Sequence, residues 1–352
     1  MTPSGIPLSP RSLKDFVERH GGVTKHGAHG VVRRLVPVSK AGPGDLAPLL
    51  SSRYIEAATE AVARGAFLLV DAALEGRDDV AALPGWFHPY AAWALAELLD
   101  LGDSPADAPV IGDGCNIGPG VLLLPRVRLG ARVTIGAGAV IGEAGFGFAP
   151  GPGGAMRSIP HLGGVVIEDD VHIGALCTVS AGTLGPTILR RGAKLDAQVH
   201  IGHNCEIGEG TIIAAQSGLA GSVIVGRNVL MGGQVGIADH VTIGDQARVA
   251  AKSGVIGDVA MNATVAGYPA VERQRWLRGL AELYKLAAGR GSTMPPSSGR
   301  MRVPTSSAPP PLMSERAPGS VRPEAIIRRS EPPTASPGAP VVSPGPPKVD
   351  RR

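Results

Sequence analysis

The sequence predicts a mainly β protein built on a parallel β-helix with triangular coils, and three observations carry that reading. From Leu195 to Met261 every sixth residue is aliphatic, and the residue four places after each, from Val199 to Val265, is small or β-branched. A period of six matches neither the 3.6 of an α-helix nor the 2 of a strand, and hexapeptide periodicity is a mark of parallel β-helices. Aromatic residues make up only 3% of the chain while glycine numbers 50 of 352 residues, which suits a narrow interior filled by Ile, Val and Leu. Three hexads close one coil. The aliphatic fills the interior, the small residue faces inward where a larger one would clash, and the Gly or Ala after each aliphatic is assigned to the tight corner.

Residues 1–104 lack the hexad period and read as a small α/β domain. Ser12 with Asp15 three places on caps a helix running to His20. Val31–Val38 is strand-like, 41–45 is a turn, Tyr54–Arg64 is a helix, Ala66–Val70 is a buried strand, and Tyr90–Leu99 is a second helix with Trp93 on its apolar side. Asp103–Pro109 is a linker. The β-helix occupies 105–268. Its ladder starts at Ile111 and holds through Ile141, then breaks at the Gly-rich stretch 142–149, whose loop runs to about Gly164. It resumes at Ile167, slips once around 184–194, and holds to the end. A loop of that length inside a periodic structure points to function or disorder.

Residues 269–289 read as a helix, with Trp276, Leu280, Leu283 and Leu286 at near-helical spacing and a role in docking or self-association. Residues 290–352 are rich in Pro, Ser and Arg. After Gly291 they hold no aromatic residue, and they read as disordered because they cannot bury enough apolar surface to offset the ordering entropy. This tail carries a net +6 against +4 for the whole chain, leaving the rest near −2. The folded part has no basic excess, which argues against nucleic acid as a partner. No long unbroken apolar run signals a transmembrane segment, and the N-terminus lacks a signal-peptide pattern, so a cytoplasmic protein is expected. Cys115, Cys177 and Cys205 all fall at the small inward position, which makes them buried packing residues rather than metal ligands or nucleophiles.

The walls of such a prism are mostly non-titratable, so the histidines stand out. His200 and His203 fall together at one corner. His203 lies two places after an inward aliphatic and points outward, Gly221 lies one coil above it, and His240 lies about two coils up on the same side. An outward imidazole can take a proton from an attacking amine or hydroxyl near neutral pH, and a glycine amide can donate to the oxyanion of a tetrahedral intermediate. Those are the parts of an acyl-transfer site. No metal is expected, because no carboxylate or cysteine converges on these histidines.

These residues lie in segments that resemble a known family. LDAQVHIGHN, LAGS, MGGQVGIADH and AGYPA, with AGPGDL and Arg53-Tyr54 near the N-terminus, the GEAGFGFAP loop, Ile159-Pro160-His161-Leu162-Gly163 and the Trp276 helix, look like the UDP-3-O-(3-hydroxyacyl)glucosamine N-acyltransferases of lipid A biosynthesis. The resemblance spans nearly all of residues 12–286. It implies a homotrimer of left-handed β-helices with sites between subunits. It also implies transfer of a 3-hydroxyacyl chain from acyl carrier protein to the 2-amino group of a UDP-3-O-acylglucosamine, with no cofactor beyond the carrier thioester. His203 would match the catalytic base, Gly221 the oxyanion donor, His240 a substrate-contacting histidine, and Tyr54 a residue of the uracil site. Asn204, Gln198, His200, Phe146 and Phe148, from the same segments, complete the implied substrate contacts. The chain departs from the family at Ser180-Ala181-Gly182, Ala197, Pro48 and Ser51, all at polar or aromatic positions tied to the nucleotide sugar. Two alternatives follow: a related acyltransferase acting on another nucleotide amino sugar, and a non-catalytic β-helix scaffold.

Overall fold

The computed structural model describes residues 5–102, 107–267 and 273–289. The first hundred residues build one six-stranded sheet. Its strands are β1 (Ile6–Ser12), β2 (Val23–Lys25), β3 (Val31–Leu35), β4 (Asp45–Leu49), β5 (Phe67–Asp71) and β6 (Gly85–His88), in the order β1-β3-β4-β5-β6-β2. The four central strands are parallel, and β1 and β2 close the edges antiparallel. Helices α1 (Leu13–His20), α2 (Ile55–Ala63), α3 (Asp78–Ala81) and α4 (Ala91–Asp100) complete the domain. Strands of this kind are apolar on both faces. Leu46 and Leu69 pack with Phe16 of α1 and Leu95 of α4 on one side, while Ala47, Leu68 and Val70 pack with Ala58 and Ala61 of α2 on the other. The Ser12 cap forms as expected, Ser12 and Asp15 exchanging the two hydrogen bonds of a capping box. Strands β1, β2, β4 and β6 go beyond the sequence expectation. They are short or lack alternation, and β4 carries Pro48 in its interior.

From Val110 onward the chain winds into a left-handed parallel β-helix whose three walls are sheets of seven, eight and seven short strands among the described residues. Lys194 pairs with Ile212, Ile212 with Leu230, and Leu230 with Arg248, one coil apart at each step. The aliphatics beside them, Leu195, Ile213, Met231 and Val249, form one row of the buried core, which also takes in the small residues Cys205, Val223 and Val241. Burying each aliphatic contributes about 1.5–3 kcal/mol. Two of the three cysteines, Cys177 and Cys205, are buried as expected, and Cys115 is half-buried. All three are free, and burial pushes the Cys205 thiol up to about 12.

The corner glycines need correction. The left-handed backbone of each corner sits three places after the aliphatic, on residues such as Gln198, Asn204, Gln216 and His240, with φ between 58° and 60°. The Gly or Ala directly after the aliphatic has another reason to be small. A Cβ on Gly208 would lie 2.1 Å from the carbonyl oxygen of Gly226 on the next coil. Close stacking of backbone on backbone, not a left-handed turn, favours small residues there.

The ladder departs from its period at three places. After 140–143 a hairpin, Phe148–Pro150 against Met156–Ser158, leaves the prism. It packs on α4, where Gly151 lies flat against the Trp93 ring and Arg157 pairs with Glu97 and Asp100. The slip expected near 184–194 is real: Thr178 pairs with His200, 22 residues away, against 18 in a regular coil. At the far end the register shortens, contrary to the sequence expectation. Arg248 pairs with Thr264 and Ile243 bridges Val259, so Val259 and Val265 cover the core while Met261 is exposed. At the start, Ile111 and Ile117 keep the period but are exposed at the end of the stack. The sheet domain and the β-helix belong to one compact unit ending at Gly279. Helix α5 (Arg273–Gly289) forms where a helix is expected. The 290–352 tail, the AGYPA segment beyond Gly267, and most of the 103–109 linker lie outside the described residues.

Candidate active site

One corner of the prism gathers the chemistry. His203, Gly221 and His240 stack on it, tied by the Ser222 amide to the His203 carbonyl at 2.8 Å and the His240 amide to the Gly221 carbonyl at 3.0 Å. The Cε1–Nε2 edge of His203 lies over Gly221, where a Cβ would fall 2.5 Å from Cε1 and 2.6 Å from Nε2. Among the described residues the Gly221 amide has no acceptor and Nε2 of His203 no partner, and Nε2 is not buried. The imidazole and the glycine amide foreseen from spacing are therefore adjacent.

Asn204 is tied into this corner by four hydrogen-bond contacts. Its Oδ1 accepts the Thr183 amide at 2.7 Å, and its Nδ2 donates to Thr183 Oγ1 at 3.1 Å and approaches His203 Nδ1 at 2.8 Å. Its backbone amide donates to Thr187 Oγ1 at 2.9 Å. The extra residues of the slipped coil are what carry Thr183 over this corner.

On its other side His203 meets His161, with ring centroids 4.8 Å apart. His161 is 8% exposed, and its Nδ1 is buried without a partner. The hairpin loop walls both rings, since a Cβ on Gly145 would lie 2.6 Å from His203 Cδ2 and 2.8 Å from His161 Nε2. Burial, with the neighbouring His203 charge second, pulls His161 down to about 4. Burial also lowers His203, helped by His240 and His200, so the ring is neutral at physiological pH. In the sequence His161 belongs to a motif but carries no role of its own. It is 42 residues from His203, and only the hairpin brings the two together.

The sheet domain reaches the same corner. Tyr54 Oη lies 2.8 Å from His240 Nδ1 with the rings edge-on, and Arg53 donates to the His240 carbonyl. Burial lowers His240, as does Arg53, against Asp239, and burial raises the Tyr54 hydroxyl. The remaining candidates are spread out. Phe146, 90% exposed, and Phe148 stack edge-on at 5.1 Å beside the loop glycines. His200 sits on a wall strand rather than at the corner, its Nδ1 2.6 Å from Thr178 Oγ1. Gln198 is on another corner, in an amide ladder with Gln216 and Gln234, and is not brought to the site. A cleft of about 690 Å³ is also on a different corner and is lined by ion-paired residues such as Arg227 and Asp245. Among the described residues no three His, Cys, Asp or Glu side chains converge as a metal site.

Comparison with known proteins agrees with the repeat reading. Residues 108–143 and 186–221 match the bacterial transferase hexapeptide family (six repeats), and 164–197 and 222–253 match the hexapeptide repeat of succinyl-transferase. The chain is 57% identical over 74 residues to the UDP-3-O-acylglucosamine N-acyltransferase of Christiangramia forsetii, covering 21% of this chain and 22% of that one. It is 51% identical over 150 residues to that of Caulobacter vibrioides, covering 43% and 44%. The matched stretches thus span under half the length of these curated relatives. Among solved structures, LpxA from Acinetobacter baumannii aligns at 22% identity and TM-score 0.37 over 54% of this chain and 85% of that one. LpxA from Bacteroides fragilis aligns at 21% and 0.41 over 53% and 83%. The resemblance stated from the motifs therefore stands on sequence.

Proposed function

We propose that this hexapeptide-repeat protein is an N-acyltransferase that moves a 3-hydroxyacyl chain from an acyl carrier protein thioester to the 2-amino group of a UDP-3-O-acylglucosamine. The observation that carries the reading is the imidazole edge of His203 lying on Gly221, whose amide is free to donate. A thioester carbonyl placed there would meet an uncharged imidazole and a backbone donor, the two groups that acyl transfer to an amine uses. Tyr54 and His240 lie where a small sheet domain meets the reaction corner, and the nucleotide end of the substrate is assigned there. The protein is assigned to the cytoplasm, where acyl carrier protein works. No described helix is long and apolar enough to cross a membrane. Association as a homotrimer would cover Ile212 and Leu230, neighbouring exposed aliphatics on one wall.

The test is turnover of UDP-3-O-acylglucosamine with a panel of acyl carrier proteins, comparing the full chain with His203→Ala. Loss of about 100-fold or more in kcat with unchanged circular dichroism is expected. Near-native turnover in the variant would remove His203 from the reaction. In this reading His203 is the general base that takes the amine's proton.

A further inference from the structure

The ring of His203 is held from three directions. Asn204 Nδ2 stands 2.8 Å from its Nδ1. The backbone of Gly145 closes the root of the ring, where an added Cβ would lie 2.6 Å from Cδ2 and 2.7 Å from Cβ. His161 lies against the ring with 4.8 Å between centroids and the planes tilted by 60°. The Cε1–Nε2 edge is left facing Gly221.

His161 is itself held from both flanks. Ile159 and Leu162 pack against the core of the sheet domain, which also takes in Leu184. The Leu162 and Gly163 amides donate to the Thr183 and Gly182 carbonyls at 3.1 and 2.7 Å. Gly147 passes so close that a Cβ would fall 3.0 Å from His161 Cε1. The imidazole is thus wedged in place, with a buried Nδ1 that bonds to nothing among the described residues. Burying an unpartnered nitrogen costs stability, so the ring is to be explained by what it does for its neighbour. A side chain this enclosed reaches no substrate. Drawn down to about 4 by burial first and the His203 charge second, it neither gives nor takes a proton near neutral pH.

We propose that His161 is a positioning residue for the transfer: wedged by the hairpin segment, it fixes the His203 ring with its Nε2 edge over Gly221 and keeps water from the covered face. The proposal rests on the acyl-transfer reading, with His203 as the base, and His161 acts only through that ring. A ring free to turn meets the amine in the productive pose for only part of the time. A hydrated ring also takes up a proton more easily and enters the reaction already charged. Among the described residues the titratable groups facing His203 are His161 from the hairpin segment, His200 from the wall strand and His240 from the next corner, with Arg53 and Tyr54 behind His240. His161 is neutral where His203 titrates, so its removal changes hydration and freedom of the ring and takes away no cation.

The experiment compares His161→Ala and His161→Gln in the full chain, by steady-state turnover and by 1H–13C NMR titration of the His203 ring, whose signals are assigned by their loss in His203→Gln. In His161→Ala, kcat should fall about 10- to 100-fold with KM nearly unchanged. The His203 midpoint, and with it the acid limb of kcat/KM, should rise toward about 6.5. His161→Gln refills the space without a titrating group and should restore most of both. Should the alanine variant not fold, Leu162→Ala loosens the anchor while leaving both rings in place and should move both readouts the same way. An unmoved His203 midpoint, an undiminished kcat, or a glutamine variant as impaired as the alanine one would each overturn the proposal. Absence of any acyl transfer by the native chain would instead defeat the functional reading, while the NMR titration would still judge the wedge.

Discussion

At the scale of single residues, the site is defined by what cannot be added to it. Gly221→Ala would put a methyl within 2.6 Å of His203 Nε2. The ring must swing away, and kcat should fall by about 100-fold with little change in melting temperature, which steady-state kinetics and thermal unfolding would separate. The histidines set the pH behaviour. Burial lowers His203, so the acid limb of kcat/KM should have its midpoint below the ordinary imidazole value, with activity rising as pH rises and the ring loses its charge. His161 contributes to stability with a definite sign. Its folded value of about 4 lies below the 6.5 of the unfolded chain. As pH falls from about 6.5 toward 4 the unfolded state takes up a proton that the folded state refuses. Stability is therefore full above that window and declines within it, by about 2 kcal/mol after allowing for screening. Urea midpoints at pH 7 and pH 4.5 should differ less in His161→Gln than in the native chain.

The hexads are legible in the sequence because each element of the prism is only one coil deep: its inward side chain, its corner and its pairing partner all follow from position in the period. Inward polar residues obey the same local logic. Thr211 Oγ1 donates to the Gly226 carbonyl at 2.8 Å and accepts the Val229 amide at 3.1 Å. Thr211→Val keeps the shape and strands both groups, so a loss of about 1–3 kcal/mol is expected from urea unfolding. Sequence and structure part where neighbours far along the chain decide. Nothing local marks Met261 as exposed, since the shift comes from a last coil closed two residues early. The partners of Asn204 are invisible for the same reason, because a six-residue period says nothing about what an irregular coil lays across a regular one.

For the molecule as a whole, the contact between Tyr54 of the sheet domain and His240 of the β-helix joins two differently built parts at the reaction corner. Tyr54→Phe should cost about 0.5–1.5 kcal/mol of stability for the lost hydrogen bond and raise KM for the nucleotide sugar while leaving kcat nearly unchanged. The sheet domain is legible in its capped helix and its buried Leu68-Leu69-Val70 run, but its docking on the corner is not, because that depends on shape rather than pattern. The regular spacing of 18 residues between stacked corners also makes the prism behave like a three-position dial. Lengthening the chain between His203 and Gly221 by one hexad would turn the dial by a third and deliver the glycine to another edge. Growth above or below by complete turns leaves the pairing of those two residues untouched, so the length of such a protein can drift while its chemistry stays indexed to one edge.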